Sequence, residues 1–432
     1  EIDFKLAENL TTSDGGKTFT LTLRDGVEFS DGSPFNAEAV KYGWEHIKDP
    51  ATASPDIPQA SLVESSRVVD DRTLEVTLVN PVPNFANAIV ETSMNWIASP
   101  AALQGGQQSI DANPVGAGPY TLEQWSRQDV IKLTRNENYY DAPLPYLDKL
   151  EIRAIGDADQ RYNTLASGGA DLALEGIWSN VAKARNAGLQ NAVVPLGGGT
   201  DLALNTTKAP FDDVRARKAF AIALDLDGIN NAAFEGTAEL PWTLFDESSP
   251  SYKDIPLAEH DPAEAQRLLD ELAAEGKPLE FTLSLYPSNR AVGEAIQTQL
   301  STLNNITVNV KTIDLAQLGQ IMAQRDFDVL VAGLMFNEPE PRLWFGLHST
   351  SKGNYSGISD AQLDEALDKG LAAQNPAEQV AAYEAVQQRL AELYPLIFYT
   401  RAAPAYIANN NVGGVVQYGM GSVLPETLWL QK

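Results

Sequence analysis

The side chains that could do chemistry in this sequence are few and scattered. Three histidines, His46, His260 and His348, lie far apart, without a second histidine at helical spacing. A zinc site needs several ligands at fixed spacing, so no metal site built by this chain alone is expected. There are no cysteines, which removes disulfides, thiolate metal sites and thiol nucleophiles together. Ser349-Thr350-Ser351-Lys352 has the S-x-x-K spacing that supplies nucleophile and base in penicillin-recognising enzymes. Gly353 and Asn354 follow it, however, which places it in a turn, and no partner motif accompanies it. Gly116-Ala117-Gly118 runs into Pro119 and Tyr120, and Gly197-Gly198-Gly199 leads into a strand. Neither opens a helix, as a dinucleotide-binding turn must. Glu338 and Glu340 could pair for glycoside chemistry, but Pro339 and Pro341 read equally well as a kinked surface loop. No catalytic constellation emerges and no cofactor is implied. The chain is read as a non-enzyme, with a hydrolase using Glu338 or Ser349 as the rival.

Composition narrows the class further. At 432 residues the chain can bury a large core and form two or three domains. Against 58 Asp+Glu stand 31 Lys+Arg, a net charge of −27, which would repel phosphate backbones and argues against a nucleic-acid partner. The charge is spread along the chain and reads first as a solubility feature. No stretch approaches the run of roughly 20 apolar residues that spans a bilayer. The opening Glu1-Ile2-Asp3-Phe4-Lys5 has neither a charged n-region nor an apolar h-region, so no targeting segment is expected in the sequence given.

The elements that would carry any site alternate strands with helices. Phe19, Leu21 and Leu23 alternate with threonines as a half-buried strand, and Asp31-Gly32-Ser33-Pro34 makes a turn. Asn36 is positioned to cap a helix over 37–47, with Val40, Trp44 and Ile47 on one face. A second strand, 74–78, stops at Pro81-Val82-Pro83. Beyond Pro100 the pattern predicts strands at 130–134, 149–155 and 171–174, and a helix near 160–167. From 201 it predicts a strand at 201–205 and a helix over 213–225. A further helix begins with Asp261 as cap, Pro262 at its first position and Glu264 completing a capping box. Strands at 279–286 and 306–310 flank the amphipathic segment 292–303, an order that predicts a mostly parallel sheet. The last long helix is expected over 377–393.

Several blocks resemble, in order, those of the ABC-transporter extracellular solute-binding proteins of family 5, the oligopeptide, dipeptide and nickel-binding type. The first is Asp14-Gly15-Gly16-Lys17-Thr18-Phe19-Thr20-Leu21-Thr22-Leu23-Arg24-Asp25-Gly26-Val27-Glu28-Phe29-Ser30-Asp31-Gly32. Asp49–Pro55, Pro114-Val115-Gly116-Ala117-Gly118-Pro119-Tyr120 and Arg135-Asn136-Glu137-Asn138-Tyr139-Tyr140 follow. The last runs from Asn205 through Pro210-Phe211-Asp212-Asp213 to Ala219. The resemblance implies an α/β periplasmic-binding-protein-like fold of type II, cluster C, with two lobes around a ligand cleft and a small extra α+β domain. The small domain is then 1–99, lobe I is 100–198 with 412–432, and lobe II is 199–411. The implied function is capture of a peptide or other small solute by hinge closure and delivery to ABC permease transmembrane subunits. A ligand-sensing receptor without transport is the alternative. The protein would be an exported monomer in the periplasm or at the cell surface, lipid-anchored in a full-length form.

Two departures from the family pattern stand out. Family members carry several tens of residues before the segment matching Leu6-Ala7-Glu8-Asn9, so the first lobe is expected to lack its opening strand and to expose a strand edge. Peptide-binding members also place an aspartate after the strand matching 327–334 to hold the peptide amino group. Here the sequence reads Gly333-Leu334-Met335-Phe336-Asn337-Glu338-Pro339, and that aspartate is missing. Matching position implies ligand contacts at Glu175, Gly176, Trp178, Leu196, Met335, Phe336, Asn337, Asn354 and Tyr355. Trp178 with Glu175 would suit a cationic or ring-bearing ligand through stacking and charge.

Overall fold

The computed structural model describes residues 2–314 and 317–431; the outer domain limits Glu1 and Lys432 fall outside them. The chain divides into two compact units, Glu1–Glu175 with Ala184–Val193 and Ala405–Lys432, and Gly176–Lys183 with Val194–Pro404.

In the first unit, alternation of apolar and threonine residues builds a four-stranded antiparallel sheet. Its strands are β1 (Ala7–Thr12), β2 (Thr18–Leu23), β3 (Val63–Asp70) and β4 (Thr73–Leu78), in the order β1-β2-β4-β3. The register sets Phe19 opposite Val76 and Leu21 opposite Leu74, all buried. The helix Ala37–Lys48 packs on this sheet. Asn36 caps it, its side-chain oxygen accepting from the Ala39 amide at 3.0 Å. Val40, Trp44 and Ile47 are buried, and Trp44 packs edge-on against Phe85 and donates to the Met94 carbonyl at 2.9 Å. Each large apolar side chain so buried contributes about 1.5–3 kcal/mol.

A second sheet of this unit is β5 (Tyr120–Ser126), β6 (Val130–Arg135) and β7 (Lys149–Arg153). Two of the sequence blocks meet at its end. The Asn136 side chain donates to the Gly118 carbonyl and its amide to the Pro119 carbonyl, both at 2.9 Å. The unit's third sheet contains β8 (Leu172–Glu175) and β9 (Gln190–Val193).

The second unit is a five-stranded sheet with helices on both faces. Its strands are β10 (Gly197–Leu204), β11 (Leu279–Leu285), β12 (Ile306–Thr312), β13 (Val329–Phe336) and β14 (Leu396–Thr400), in the order β12-β11-β13-β10-β14. β11 is parallel to β12 and β13, whereas β10 is antiparallel to β13 and β14. The sheet is therefore mixed, and the mostly parallel sheet expected from the β-α-β order covers only one side of it. β15 (Ala405–Ala408) then leaves this unit and fills the gap between β8 and β9. The sequence reading placed 405–411 in lobe II. Here the chain passes between units at 175/176, 183/184, 193/194 and 404/405.

Alternation along β10 sends Leu202 and Leu204 to one core and Ala203 to the other. The strand begins four residues earlier than the sequence reading placed it, because its first residues are glycines. A Cβ on Gly197 would lie 2.3 Å from the Phe336 ring, one on Gly198 1.9 Å from the Leu334 carbonyl oxygen, and one on Gly199 2.3 Å from the Thr400 carbonyl oxygen. Asp261 caps Pro262–Ala274 through the Glu264 amide, but the Glu264 carboxylate turns to Arg267. Only half of the expected capping box forms, because the Asp261 amide already donates to the Ile222 carbonyl at 2.8 Å and Glu264 is taken by Arg267.

Two carboxylates are sealed in the second core. Asp201 takes the Tyr355 hydroxyl at 3.3 Å and leaves Oδ1 without a partner, and burial pushes its pKa up to about 7. Glu340 accepts the Tyr383 hydroxyl, leaves Oε2 without a partner, and is likewise pushed up by burial to about 7.

Gly198→Ala should lower the urea midpoint by an amount equivalent to at least about 3 kcal/mol, since both φ and backbone contact forbid it. Gly26→Ala, with φ +69 and nothing within 4 Å, should cost only about 1 kcal/mol. The buried acids set a pH dependence. Between about pH 4 and pH 7 the unfolded chain gives up these protons while the folded one keeps them, so stability falls as pH rises through that window. Each group contributes about 1.4 kcal/mol per pKa unit. Urea midpoints between pH 4.5 and 8 should fall less steeply in Asp201→Asn than in the parent, and equal slopes would refute the assignment.

Candidate functional site

The residues singled out in the sequence gather mainly at one end of the second unit's sheet. Register places Gly197 opposite Phe336 and Gly198 opposite Met335, which brings Leu196, Met335, Phe336 and Asn337 together. Leu196 and Phe336 are buried, Met335 is half-buried and Asn337 is exposed. Phe336 packs edge-on against Phe245 with centroids 5.3 Å apart.

The group that holds this end is one the sequence reading missed. Arg401, just past β14, is buried and donates to five carbonyls: Thr243 at 3.0 Å, Leu244 at 3.4 Å, Phe245 at 2.9 Å, Leu196 at 3.3 Å and Gly198 at 3.1 Å. Glu239 lies 3.4 Å from its Nε. Burial lowers the Arg401 pKa from its ordinary value, and Glu239 and Asp246 oppose that shift. The Arg401 carbonyl in turn accepts the Trp178 indole N–H at 2.9 Å. Nothing around Phe398-Tyr399-Thr400-Arg401 distinguishes it from a surface arginine after a strand, so the sequence carried no signal.

Several expected contacts have structural duties. Trp178 is buried against Arg401 rather than presented for stacking. Glu175, in the other unit, is buried and receives two bonds from Arg161, at 2.5 and 3.2 Å. Its charge is therefore already answered, and a joint role with Trp178 on a cationic ligand gains no support. Asn354 donates to the carbonyls of Leu347, His348 and Ile358 and accepts from Ser356 and Gly357, so its amide staples the 347–358 loop. Tyr355 is buried on Asp201, and burial raises its pKa well above the usual phenol value. Gly176 is exposed.

Of the two rival catalytic groups, Glu338 is exposed, with its pKa raised mainly by desolvation, and Ser349 is engaged. Ser349 donates its hydroxyl to Asp364 at 2.5 Å and its amide to the same carboxylate. His348 stacks on Trp344, its Nδ1 accepting from the Thr350 amide at 3.2 Å. Glu340 is sealed with Tyr383. Among the described residues no group of three or more His, Asp or Glu side chains is arranged to hold a metal ion. No helix among them is long and apolar enough to cross a membrane.

The blocks that carried the resemblance prove to be turns pinned by side chains. Asn205 donates to the Arg325 and Phe327 carbonyls, both at 2.9 Å, Asp213 caps Val214–Ala223, and Arg217 is buried on the Phe211 and Leu393 carbonyls. The sequence profile of bacterial extracellular solute-binding proteins, family 5 middle region, matches residues 1–356. The glutathione-binding protein GsiB of Escherichia coli K12 is 29% identical over 421 residues, covering 91% of this chain and 79% of that protein. AgaA from A. tumefaciens R10, solved with agropinic acid, has a TM-score of 0.85 at 25% identity, over 99% of this chain and 89% of its own. NikA from Brucella suis, solved with Fe(III)-EDTA, has a TM-score of 0.82 at 23% identity, over 99% and 91%. The oligopeptide-binding AppA of Bacillus subtilis, solved with a nonapeptide, has a TM-score of 0.81 at 22% identity, over 100% and 91%. The last two likenesses speak for the fold alone, and it is the α/β fold read from the sequence. With motifs, fold and profile in agreement, the chain belongs to the bacterial extracellular solute-binding proteins, family 5.

Proposed function

We propose that this protein captures a small solute, a peptide or peptide-like acid, outside the cytoplasmic membrane and passes it to the transmembrane subunits of an ABC permease. The family match over residues 1–356 carries this reading. The sheet end of the second unit supports it. Buried Leu196, Phe336, Trp178 and Tyr355 form a rigid base, while Met335, Asn337 and Gly176 offer accessible polar and apolar contact. A fixed base with a few accessible groups suits recognition, in which binding free energy is spent on selecting one conformation rather than on bond-making. The engaged states of Ser349, His348 and Glu340 weigh against a hydrolase.

The relatives widen the choice of solute, since their names and bound ligands cover glutathione, agropinic acid, a metal chelate and a nonapeptide. A thermal-shift screen against glutathione, di- and oligopeptides, opines and Fe(III)-EDTA tests the reading. A solute present at 100 times its Kd should add about 2.7 kcal/mol to folded-state stability, a clear rise in Tm. No rise with any of these classes, from a cooperatively folded sample, would overturn it.

A further inference from the structure

Resting on that reading, we propose that Arg342 is the anion-holding residue of this site and that the solute carries a carboxylate bound by its guanidinium. The second unit otherwise uses its arginines up. Arg215 is held by Asp213 and Glu275, Arg389 by Asp360, Arg290 by Glu294, Arg325 by the Asn354 carbonyl, and Arg401 by the five carbonyls described above. Arg342 alone among that unit's arginines has neither a hydrogen bond nor an ion pair among the described residues, and it is exposed. Arg217 and Arg325 also lack a carboxylate partner but are held by backbone carbonyls, whereas the Arg342 side chain has neither kind of partner among the described residues.

Its placement is specific. Arg342 follows the segment Met335-Phe336-Asn337 that ends β13, and its charge is felt at the hydroxyl of Tyr355, which sits on Asp201. It is carried by the turn Pro339-Glu340-Pro341, whose three residues are all buried. Two prolines fix their own φ, and Glu340 is tied to Tyr383, so the backbone that presents Arg342 is held in advance. Arg342 also begins the short helix Arg342–Leu347, a position where a cation gains nothing from the peptide dipoles. No hydrogen bond or ion pair among the described residues occupies this guanidinium, which leaves it open to a ligand. A planar guanidinium with paired donors matches a carboxylate in bidentate fashion. An acidic solute approaching a chain of net charge −27 also needs a local positive group to offset the repulsion.

The test is isothermal titration of the full chain with matched probes, glutathione and a set of dipeptides, each as the free acid and as the carboxyl-amidated form. The parent should bind an acid at least about 10-fold tighter than its amide. Arg342→Gln should weaken the acid about 10- to 100-fold, leave the amide unchanged, and leave the unliganded Tm unchanged. Arg342→Lys should fall between the two, since it keeps the charge and loses the fork. An Arg342→Gln protein that binds the acid as tightly as the parent, or a parent that binds amides as well as acids, overturns the proposal while leaving solute binding intact. A parent that binds none of the probes removes the solute-binding reading itself, and the proposal with it.

Discussion

A guanidinium sealed inside the second unit is the interaction on which the candidate site depends. Burying a charge costs several kcal/mol unless its donors are all answered, and the Arg401 donors are answered mostly by backbone. Five carbonyls, from Thr243-Leu244-Phe245 on one segment and from Leu196 and Gly198 on another, converge on it. The arrangement is reciprocal, because Arg401 supplies a donor to each of these carbonyls, and only those of Leu244 and Phe245 are seen to have a second one, the Gly198 amide and the Thr243 hydroxyl. The segment before β10 and the loop 239–245 are thus locked together by one side chain, and Gly198 adds its own amide to the Leu244 carbonyl at 2.7 Å.

The rest of the sheet end follows from that lock. With 196–198 fixed, β10 must pass between β13 and β14 so closely that its first three residues have no room for a Cβ. Phe336 then closes over Gly197 and packs on Phe245, one of the residues whose carbonyl Arg401 holds. Beyond Phe336 the chain emerges at Asn337 and turns through Pro339-Glu340-Pro341 to present Arg342. The sheet end is a buried floor, with Leu196 and Phe336 inside and Met335 and Asn337 at an accessible fringe.

Much of the fold was legible because burial writes itself as periodicity. Phe19, Leu21 and Leu23 alternate with threonine and are buried, and Val40, Trp44 and Ile47 share one helix face and pack as read. Asn36, Asp213 and Asp261 announce helix starts that the structure has. The mixed sheet was not legible, because strand direction depends on which neighbour β10 and β14 choose, and local pattern is blind to that. Gly197-Gly198-Gly199 shows in the sequence only as a glycine run leading into a strand. Its real reason, backbone contact with Leu334 and Thr400, lies more than a hundred residues away in sequence.

For the candidate site the sequence indicates which segments adjoin but not how their side chains are engaged. Leu196, Met335, Phe336 and Asn337 lie together at one sheet end, while Trp178, Asn354 and Tyr355 bond to Arg401, to their own loop and to Asp201. Position in a motif tells where a side chain is, but not which partner has already taken it. Asp201 did carry a signal, the one charged residue of its strand, which is the kind of local inconsistency that marks a special environment.

Hydrogen exchange read by mass spectrometry on Arg401→Met and on the parent tests the lock most directly. Faster exchange should appear in peptides covering 196–200 and 239–245, with Arg401→Lys intermediate, while peptides from β2 and β4 keep their parental rates. Unchanged protection at 196–200 and 243–245 in Arg401→Met would show that the sheet end stands without the buried guanidinium, and the account of the site would fail with it.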